Sequence, residues 1–593
     1  MDKNLTPEQI QNLLNDTELD EDRNEEIFPE EILDLSDMEE EASDHDTESE
    51  EELGNDSEDE NNIDQQTDNS SNAFYGKNRC KWGKTPPSRS RVRAHNIIVH
   101  LPGLRGPALS KNVMTPLESW SCLFTDDMLD MIVEYTNQKI TKYQQTHKTE
   151  ATYYTHHVSS NEIRAFIGLM FLTGIFKSGR EDARGLWSSK SRGRPIFRTV
   201  MSLNRFLFIL SNLRFDDEST REERKKNNRL ALISEVFDIF IQNCRQNYSC
   251  SEYLTVDEML VPFRGRCLFR IYMKSKPAKY GLKIMCLCDA KTHYLYNAFI
   301  YSGKEAQTRA DSMLVPTKNV MTLAEPIYGT NRNITGDNWF TSIELVDALK
   351  QKQLTYVGTI RKNKKEIPPQ FLPQRNRPVL SSVFGFQSDK TLVSFVPKRN
   401  SSIALVSSMH HEPVTNPENK KPEIIEFYNS TKGGVDALIR DQKCAAYSVN
   451  RRSQRWPTTI FCSMLNISGV NSHVLHSASN TEMMSRYKFL ENLAYALVSP
   501  HVLDRRSTKT LSRELKEMID KFLKEVGIDP PEDPSTSEDL STQPSQNKRP
   551  KKSRCHLCPR QKDSNTPRVC SKCQKNVCRV HSIDVKICDK CKE

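Results

Sequence analysis

The sequence predicts a multidomain α/β protein in which a β-containing core lies between two helical segments. Three observations support this class. The chain has 593 residues, too many for one hydrophobic core, so two to four folded units are expected. Apolar residues make up only 36% of it, which indicates that a sizeable part is disordered. The apolar period changes from helical to β after Ser251 and later returns to helical.

Residues 1–110 are predicted to be disordered, acidic at first and basic towards the end. Residues 1–60 contain 26 acidic and two basic residues, a net charge of −24, and like charges at this density oppose folding. Because the whole chain carries +6, residues 61–593 carry +30. A body this basic indicates a polyanionic partner, most simply nucleic acid, or else a solvated basic surface.

The helical and β segments follow in order. Residues 111–252 are expected to be helical, because apolar residues recur at helical spacing. Residues 253–362 contain short β runs at 253–261, 281–289, 294–302, 333–337 and 354–360. Thr341 or Ser342 is expected to cap a helix over 343–352. We expect residues 363–423 to form a β-rich insertion, 424–446 to complete the core, and 447–527 to be helical again.

A polar linker over residues 528–553 leads to a cysteine-rich domain over 554–593. The basic residues 548–554 resemble a nuclear import signal, so we expect a nuclear protein. The same residues could equally form an arm that contacts phosphates, and the two roles are compatible. No apolar run is long enough to span a bilayer, and Met1 is followed by polar and acidic residues rather than a secretory signal. No membrane partner is therefore expected.

Paired spacing of cysteine and histidine in the last domain predicts two structural zinc ions. The pairs are Cys555 and Cys558, Cys570 and Cys573, Cys578 and His581, and Cys588 and Cys591. A pair three positions apart can bind one tetrahedral zinc from a tight turn, and four pairs supply eight ligands. Disulfides are the weaker interpretation for a chain without a secretory signal. A partner-binding domain of RING or PHD type uses similar spacing.

Three aspartates occupy positions that suggest metal chemistry. Asp257 lies in the first β run, Asp337 ends a later run, and Asp436 lies where a helix is expected to begin. Carboxylates that converge from two strands and a helix can hold a pair of Mg²⁺ ions for phosphoryl transfer. Taken singly, each aspartate is more often a cap or turn residue.

A basic segment follows the first β run. Its cationic residues alternate with aromatic ones and are predicted to contact DNA phosphates beside the metals; they are Arg264, Arg266, Arg270, Lys274, Lys276, Lys279 and Lys283. The alternative is a basic hairpin whose aromatic side chains lie in the core.

From about residue 90 to the C-terminus the chain resembles the piggyBac-type DNA transposases. The matching strings occur in the order of that family: LTVDE (254–258), FRGRC (263–267), KPAKYGLK (276–283), NITGDNWFTS (333–342), VGTIR (357–361), YNSTKGGVD (428–436), RWP (455–457) and the cysteine-rich tail.

The resemblance implies an RNase H-like catalytic core, interrupted by the β-rich insertion and flanked by a helical dimerisation and DNA-binding domain. It implies a homodimer that cuts double-stranded DNA at transposon ends through hairpin intermediates and inserts at TTAA. Asp257, Asp337 and Asp436 match the metal-binding aspartates of the family. The zinc domain would bind the terminal repeats. In its cross-brace pairing, Cys555, Cys558, Cys578 and His581 share one ion and Cys570, Cys573, Cys588 and Cys591 the other.

One position departs from the family pattern. The further aspartate usual three residues after the third is replaced by Ile439, and the next acidic residue is Asp441. Residues five apart on a helix lie about 140° apart, so Asp436 and Asp441 share a catalytic site only if the helix bulges or begins between them. The alternative function is therefore a domesticated, transposase-derived protein that binds DNA without cleaving it. A zinc-finger ubiquitin ligase explains none of the aspartate strings.

Overall fold

The computed structural model describes most of the chain and divides it into two compact units, Met1–Asp529 and Pro530–Glu593. The described residues are 72–87, 98–147, 154–274, 276, 278–303, 313–438, 444–530, 553–559, 565, 566, 568, 570 and 575–582. No helix within these ranges combines the length and apolarity that crossing a membrane requires.

Helices occur on both sides of the β-rich region in sequence. In chain order they are α1 (Gly106–Ser110), α2 (Pro116–Ser121), α3 (Asp126–His147), α4 (Ser160–Ile175), α5 (Ala183–Trp187), α6 (Pro195–Val200), α7 (Leu203–Asn212), α8 (Arg221–Asn227), α9 (Ser234–Asn247), α10 (Val315–Ala324), α11 (Ile343–Gln351), α12 (Glu423–Thr431), α13 (Gly434–Asp436), α14 (Trp456–Ser479), α15 (Arg486–Arg506) and α16 (Arg513–Glu525).

The helices begin where the sequence supplies side-chain caps. Ser159, Ser202, Ser485 and Ser512 each accept a hydrogen bond from the backbone N–H three residues later, which satisfies a donor left free at the helix start. Helices α4 and α14 are buried around most of their circumference. Both the earlier and the later helical segments contribute to one core, because α4 packs against α15 and α2 against α14.

The strands of the larger unit are β1 (Ala73–Tyr75), β2 (Lys81–Gly83), β3 (Gly103–Leu104), β4 (Tyr248–Ser249), β5 (Tyr253–Pro262), β6 (Ile271–Tyr272), β7 (Tyr280–Asp289), β8 (Leu295–Ile300), β9 (Asn333–Gly336), β10 (Thr355–Thr359), β11 (Ser382–Phe386), β12 (Thr391–Phe395) and β13 (Ile403–Ser407). The smaller unit contains β14 (Ser553–Arg554) and β15 (Asn565–Thr566). The runs predicted at 253–261, 281–289, 294–302, 333–337 and 354–360 are all strands, and Ser342 caps α11.

Eleven of these strands form one mixed sheet, in the order β1-β2-β11-β12-β13-β10-β9-β5-β7, with β6 and β8 both paired to β7. Strand β7 is antiparallel to both β5 and β8, whereas β9 and β10 run parallel to β5. The strands of the predicted insertion, β11 to β13, extend this sheet beyond β10 rather than forming a separate one.

The prediction that residues 1–110 are disordered is wrong for residues 72–87 and for the segment from 98 onwards. Strands β1 and β2 form a hairpin that pairs with the edge of the sheet at Gly83 and Phe386. Trp82 is fully buried, and its indole Nε1 donates to the Glu366 carbonyl at 3.0 Å. Strand β3 pairs with β4, and α1 follows it. Burial of this tryptophan against the insertion is the main reason that so short a hairpin is ordered. Residues 1–71 lie outside the described part of the chain.

Candidate active site and zinc-binding cluster

Asp257 and Asp337 lie side by side on neighbouring parallel strands. The last paired residues of β5 and β9 are Val256 and Gly336, so each aspartate is the next residue along its strand. Parallel strands lie about 4.8 Å apart, and residues at one register position point to the same face. The register therefore brings the two carboxylates together at the end of β9.

Asp436 reaches the same place because α13 lies directly against β5. A Cβ atom at Gly434 would be 2.6 Å from the Thr255 hydroxyl oxygen and 3.0 Å from its Cβ, so only glycine allows this approach. The Thr255 hydroxyl donates to the Thr431 carbonyl at 2.6 Å, and the Thr335 and Thr431 hydroxyls are 2.8 Å apart. These bonds attach the end of α12 to β5 and β9, and α13 follows immediately.

The three aspartates share one cavity of about 360 Å³. Its walls are formed by Thr255, Val256, Asp257, Glu258, Lys276, Gly336, Asp337, Tyr428, Lys432 and Asp436. The three predicted metal-binding carboxylates are therefore brought together. Glu258 was not among the predicted site residues, although a second acidic residue next to Asp257, inside an otherwise apolar strand, was a usable signal.

Hydrogen bonds fix two of the acidic groups. One Asp337 oxygen accepts from the backbone N–H groups of Trp339 at 2.9 Å and Phe340 at 3.4 Å. One Asp257 oxygen accepts from the Glu258 backbone N–H at 2.8 Å. The Glu258 carboxylate pairs with the Lys276 ammonium at 3.1 Å, with 11% and 19% of the two side chains exposed. The cavity thus contains two lysines, Lys276 and Lys432, and four acidic residues, and Lys276 is paired directly with one of the carboxylates.

The electrostatics follow from burying several like charges together. Burial, together with the Glu258 and Asp337 carboxylates, raises the pKa of Asp257 well above its usual range. Burial and Glu258 also raise the pKa of Asp337, although the backbone N–H groups of residues 339 and 340 oppose this. Burial acts to raise the pKa of Glu258 as well, but the ammonium groups of Lys283 and Lys276 outweigh it and lower that pKa. A site of this kind favours cations.

Asp441 and Ile439 lie outside the described residues, so the predicted contribution of Asp441 stays a prediction. After Asp436 the chain leaves the α-helical path, because Ala437 and Leu438 adopt a π-helical conformation. The Leu438 carbonyl accepts from the Cys444 N–H at 3.0 Å.

The smaller unit brings together Cys555, Cys558, Cys578 and His581, whose ligand atoms all lie within 4.8 Å of one another. The Sγ atoms of Cys558 and Cys578 are 3.7 Å apart. The Nδ1 atom of His581 lies 3.7, 3.6 and 3.3 Å from the sulfurs of Cys555, Cys558 and Cys578. A tetrahedral zinc with Zn–S of about 2.3 Å and Zn–N of about 2.1 Å requires separations of roughly 3.6–3.8 Å. These four residues can therefore bind one zinc ion.

This quartet is the first of the two predicted groups. His556 lies between two ligands in sequence, but its ring Nδ1 is 3.1 Å from the Asn576 carbonyl, away from the ligand set. Of the second group, Cys570 is partly exposed, and Cys573, Cys588 and Cys591 lie outside the described residues. The second zinc site stays a prediction.

The chain is similar to known proteins in sequence and in fold. Residues 115–473 match the family described as Transposase IS4. A cryo-EM structure titled piggyBac transposase synaptic complex with hairpin DNA superposes with a TM-score of 0.69 and 35% identity, covering 83% of this chain and 100% of that chain.

The chain belongs to the piggyBac-type transposase family.

Two human relatives are more distant in sequence. PiggyBac transposable element-derived protein 3 is 23% identical over 407 residues, which cover 65% of this chain and 65% of that protein. PiggyBac transposable element-derived protein 2 is 22% identical over 388 residues, covering 62% of each. The matched segment thus spans less than two thirds of these relatives' own length.

The predicted DNA-contacting residues of this transposase-family chain divide into four groups. Arg264, Arg266, Lys274 and Lys279 are exposed, and a phosphate contact by any of them stays a prediction. Arg270 is partly buried; its guanidinium lies 5.3 Å from the Tyr280 ring centroid, and Nη1 donates to the Gly265 carbonyl at 3.0 Å. Lys276 lies in the aspartate cavity.

Lys283 does not match the predicted phosphate contact. It is only 8% exposed, and its ammonium lies 4.5 Å from the centroid of the Trp339 ring. Strand β7 is buried along almost its whole length, so a lysine in its interior has no open surface. Its charge acts instead on Glu258 inside the protein.

Proposed function

We propose that the protein is a DNA transposase that cleaves DNA at transposon ends and joins the freed strands to a target by metal-dependent phosphoryl transfer. One observation carries the proposal: Asp257, Asp337 and Asp436, which are far apart in sequence, line a single cavity. Membership of the family supports the reaction type, and the cavity contains the carboxylates that this reaction requires.

The core of the sheet supports an RNase H-like catalytic domain. Within the larger sheet, β8, β7, β5, β9 and β10 are consecutive. Strand β7 is antiparallel to its neighbours β8 and β5, and the last two strands are parallel to β5. The acidic residues lie at the point where β9 ends beside β5, so the central strand carries the first carboxylate and its parallel neighbour the second.

The donor set fits Mg²⁺. The acidic ligands in the cavity are all carboxylates, the hard oxygen ligands that Mg²⁺ accepts while keeping sites for water and phosphate oxygens. Asp257, Asp337 and Asp436 would hold two ions. When bound, the ions stabilise the attacking and leaving oxygens of an in-line displacement.

The chain's own residues orient and neutralise the reacting groups. The N–H groups that bond Asp337 keep its carboxylate in place before DNA binds. Lys432 lines the cavity with its ammonium 5.4 Å from the Tyr428 ring centroid and can neutralise a phosphate oxygen next to the aspartates. The exposed cations that precede β7 extend this surface towards a DNA backbone.

The finer parts of the proposal come from the family resemblance. They are hairpin intermediates, insertion at TTAA, a homodimer, terminal-repeat binding by a domain with two zinc ions, and nuclear import through residues 548–554. The structural neighbour supports the DNA substrate, since it is a transposase complex with hairpin DNA. The zinc-binding quartet supports the terminal domain.

The decisive experiment incubates full-length protein and Mg²⁺ with end-labelled DNA that carries the ends of the parental element. Wild-type protein should produce nicks and hairpins, and Asp337→Asn should bind the same DNA without producing them. Asp389→Asn is the matched control, because Asp389 is also a lysine-paired carboxylate (2.7 Å to Lys350, 18% exposed) but lies outside the cavity. Products that persist in Asp337→Asn would contradict the assignment.

A second candidate is a domesticated DNA-binding protein without cleavage activity. The names of the human relatives describe transposable element-derived proteins, and Ile439 replaces the further aspartate of the family. Salt-sensitive DNA binding by wild-type protein, with no cleaved product in Mg²⁺ or Mn²⁺, would decide for this candidate.

A further inference from the structure

The wall of the aspartate cavity contains a fourth carboxylate that is already paired with a cation of the protein. Glu258 and Lys276 both line the cavity, with their charged atoms 3.1 Å apart. The two side chains are 11% and 19% exposed, so the pair is largely withdrawn from solvent. A buried pair costs desolvation energy and is weak evidence of a stabilising role, which leaves a functional role to be considered.

The strand geometry explains why Glu258 faces the metal ligands. Successive side chains of a strand normally point to opposite faces, yet both Asp257 and Glu258 reach the cavity. Strand β9 ends at Gly336, opposite Val256. Beyond that pair, β5 has an open edge, and the cavity lies beside it.

Lys276 is a cavity lysine that forms an ion pair with one of these carboxylates. It comes from the connection between β6 and β7, pairs directly with Glu258, and interacts electrostatically with Asp257 and Asp436. An ammonium placed among carboxylates occupies the electrostatic position that a metal ion would take. A lysine can withdraw, because its charge is carried on a flexible four-carbon chain.

We propose that Glu258 is an additional metal-binding carboxylate of the catalytic centre and that Lys276 is its internal counter-ion, which an entering divalent metal displaces. This rests on the proposed function, since it assumes that the three aspartates bind metal. Displaced from Glu258, the Lys276 ammonium stays beside the cavity, where it can neutralise an oxygen of the scissile phosphate. Metal entry and phosphate binding are then coupled through one side chain.

The test measures Mn²⁺ binding to full-length protein by electron paramagnetic resonance, without DNA, so that the readout is independent of cleavage. Glu258→Gln should weaken the site about tenfold, as expected for loss of a group that supports a metal. Lys276→Met should tighten it by a similar factor, because a competing positive charge is removed. Lys276→Arg keeps the charge and should not tighten it.

The double variant separates this mechanism from a structural ion pair. If Lys276 competes for Glu258, the loss caused by Glu258→Gln is larger in the Lys276→Met background than in the wild-type background. A purely structural pair predicts instead that both single variants lower the melting temperature and leave Mn²⁺ affinity unchanged. A larger rise in melting temperature on Mn²⁺ addition in Lys276→Met than in wild type supports the proposal by a second readout.

Two controls keep the outcomes distinct. Asp389→Asn should bind Mn²⁺ as wild type does, since its lysine-paired carboxylate lies outside the cavity. Any weak Mn²⁺ binding by the acidic residues 1–60 should be the same in all variants, including Asp337→Asn, and is the background of the measurement. If Asp337→Asn binds Mn²⁺ as tightly as wild type does, both proposals are overturned. If Asp337→Asn abolishes Mn²⁺ binding but Glu258→Gln leaves it unchanged, only the proposed role of Glu258 is overturned.

Discussion

Replacing Gly434 with alanine tests whether the close approach of α13 to β5 positions Asp436. A methyl group there would lie 2.6 Å from the Thr255 hydroxyl oxygen and 3.3 Å from the Ala290 Cα, whereas non-bonded heavy atoms pack at about 3.5 Å. Either the helix moves away by roughly 1 Å or Thr255 rotates. Rotation would break the 2.6 Å hydrogen bond from Thr255 to the Thr431 carbonyl.

The expected change in the free energy of unfolding follows from these contacts. Overpacking of a buried site costs about 1–3 kcal/mol. The neighbouring Gly433 is the matched control, because a Cβ there meets no atom within 4 Å. Gly433→Ala should therefore be neutral or stabilise by about 0.4–1 kcal/mol, through the unfolded state. The two alanine variants should differ by about 1–4 kcal/mol.

Urea unfolding followed by tryptophan fluorescence measures this difference, provided that the slope m is the same for both variants. Displacing Asp436 by about 1 Å should also lower the cleavage rate by roughly 100-fold, whereas Gly433→Ala should cleave normally. Equal urea midpoints and equal cleavage by the two alanine variants would refute the argument that this contact places the third carboxylate.

Three further predictions concern other parts of the chain. Burial lowers the pKa of His410 to about 4; the folded protein therefore holds it neutral, and that stability is present above pH 6.5 and lost as pH falls towards 4. At about 1.4 kcal/mol per pKa unit, this loss approaches roughly 3 kcal/mol; between pH 7 and pH 4.5 the free energy of urea unfolding should therefore fall by about 2–3 kcal/mol more in wild type than in His410→Asn. Cys558→Ser should lower zinc content by one ion per chain in native mass spectrometry, while His556→Ala should not; equal zinc content would exclude the quartet as a site. Trp82→Ala should lower the free energy of urea unfolding by about 3–5 kcal/mol, whereas Tyr75→Ala, at an exposed position, should hardly change it. Equal effects of the two variants would show that the hairpin does not stabilise the sheet.

The local sequence pattern was sufficient to predict the strands that carry the candidate active site. The apolar runs around Asp257 and before Asp337 are strands because their residues suit a buried sheet, and periodicity reports burial directly. The spacing of Cys555, Cys558, Cys578 and His581 was equally informative, because one zinc imposes a fixed ligand geometry. In these cases the sequence contains the physical cause of the structure.

The same local patterns could not predict which distant segments of the chain pair with one another. The β1–β2 hairpin lies in a polar region and is ordered through Trp82, whose partners are nearly 300 residues away. The local signals were Trp82 and the neighbouring aromatic residue Phe74, which packs edge-to-face on Phe371. Lys283 was assigned to the DNA surface because its neighbours in sequence are basic, but the continuous apolar run of β7 around it predicts an interior position. Burial depends on the strand as a whole rather than on one charged residue.

The register between β5 and β9 determines whether the aspartates can act together. A slip of one residue would turn Asp337 to the other face of the sheet. Gly336 contributes to this register, because a Cβ there would lie 2.3 Å from the Tyr356 hydroxyl oxygen. That hydroxyl is 2.9 Å from the Thr341 hydroxyl, which itself donates to the Asp337 carbonyl at 2.7 Å. The turn after β9 is thus held from both sides, so the second carboxylate is positioned by backbone contacts rather than by its own charge. A site built in this way tolerates mutual repulsion among its carboxylates until a cation binds.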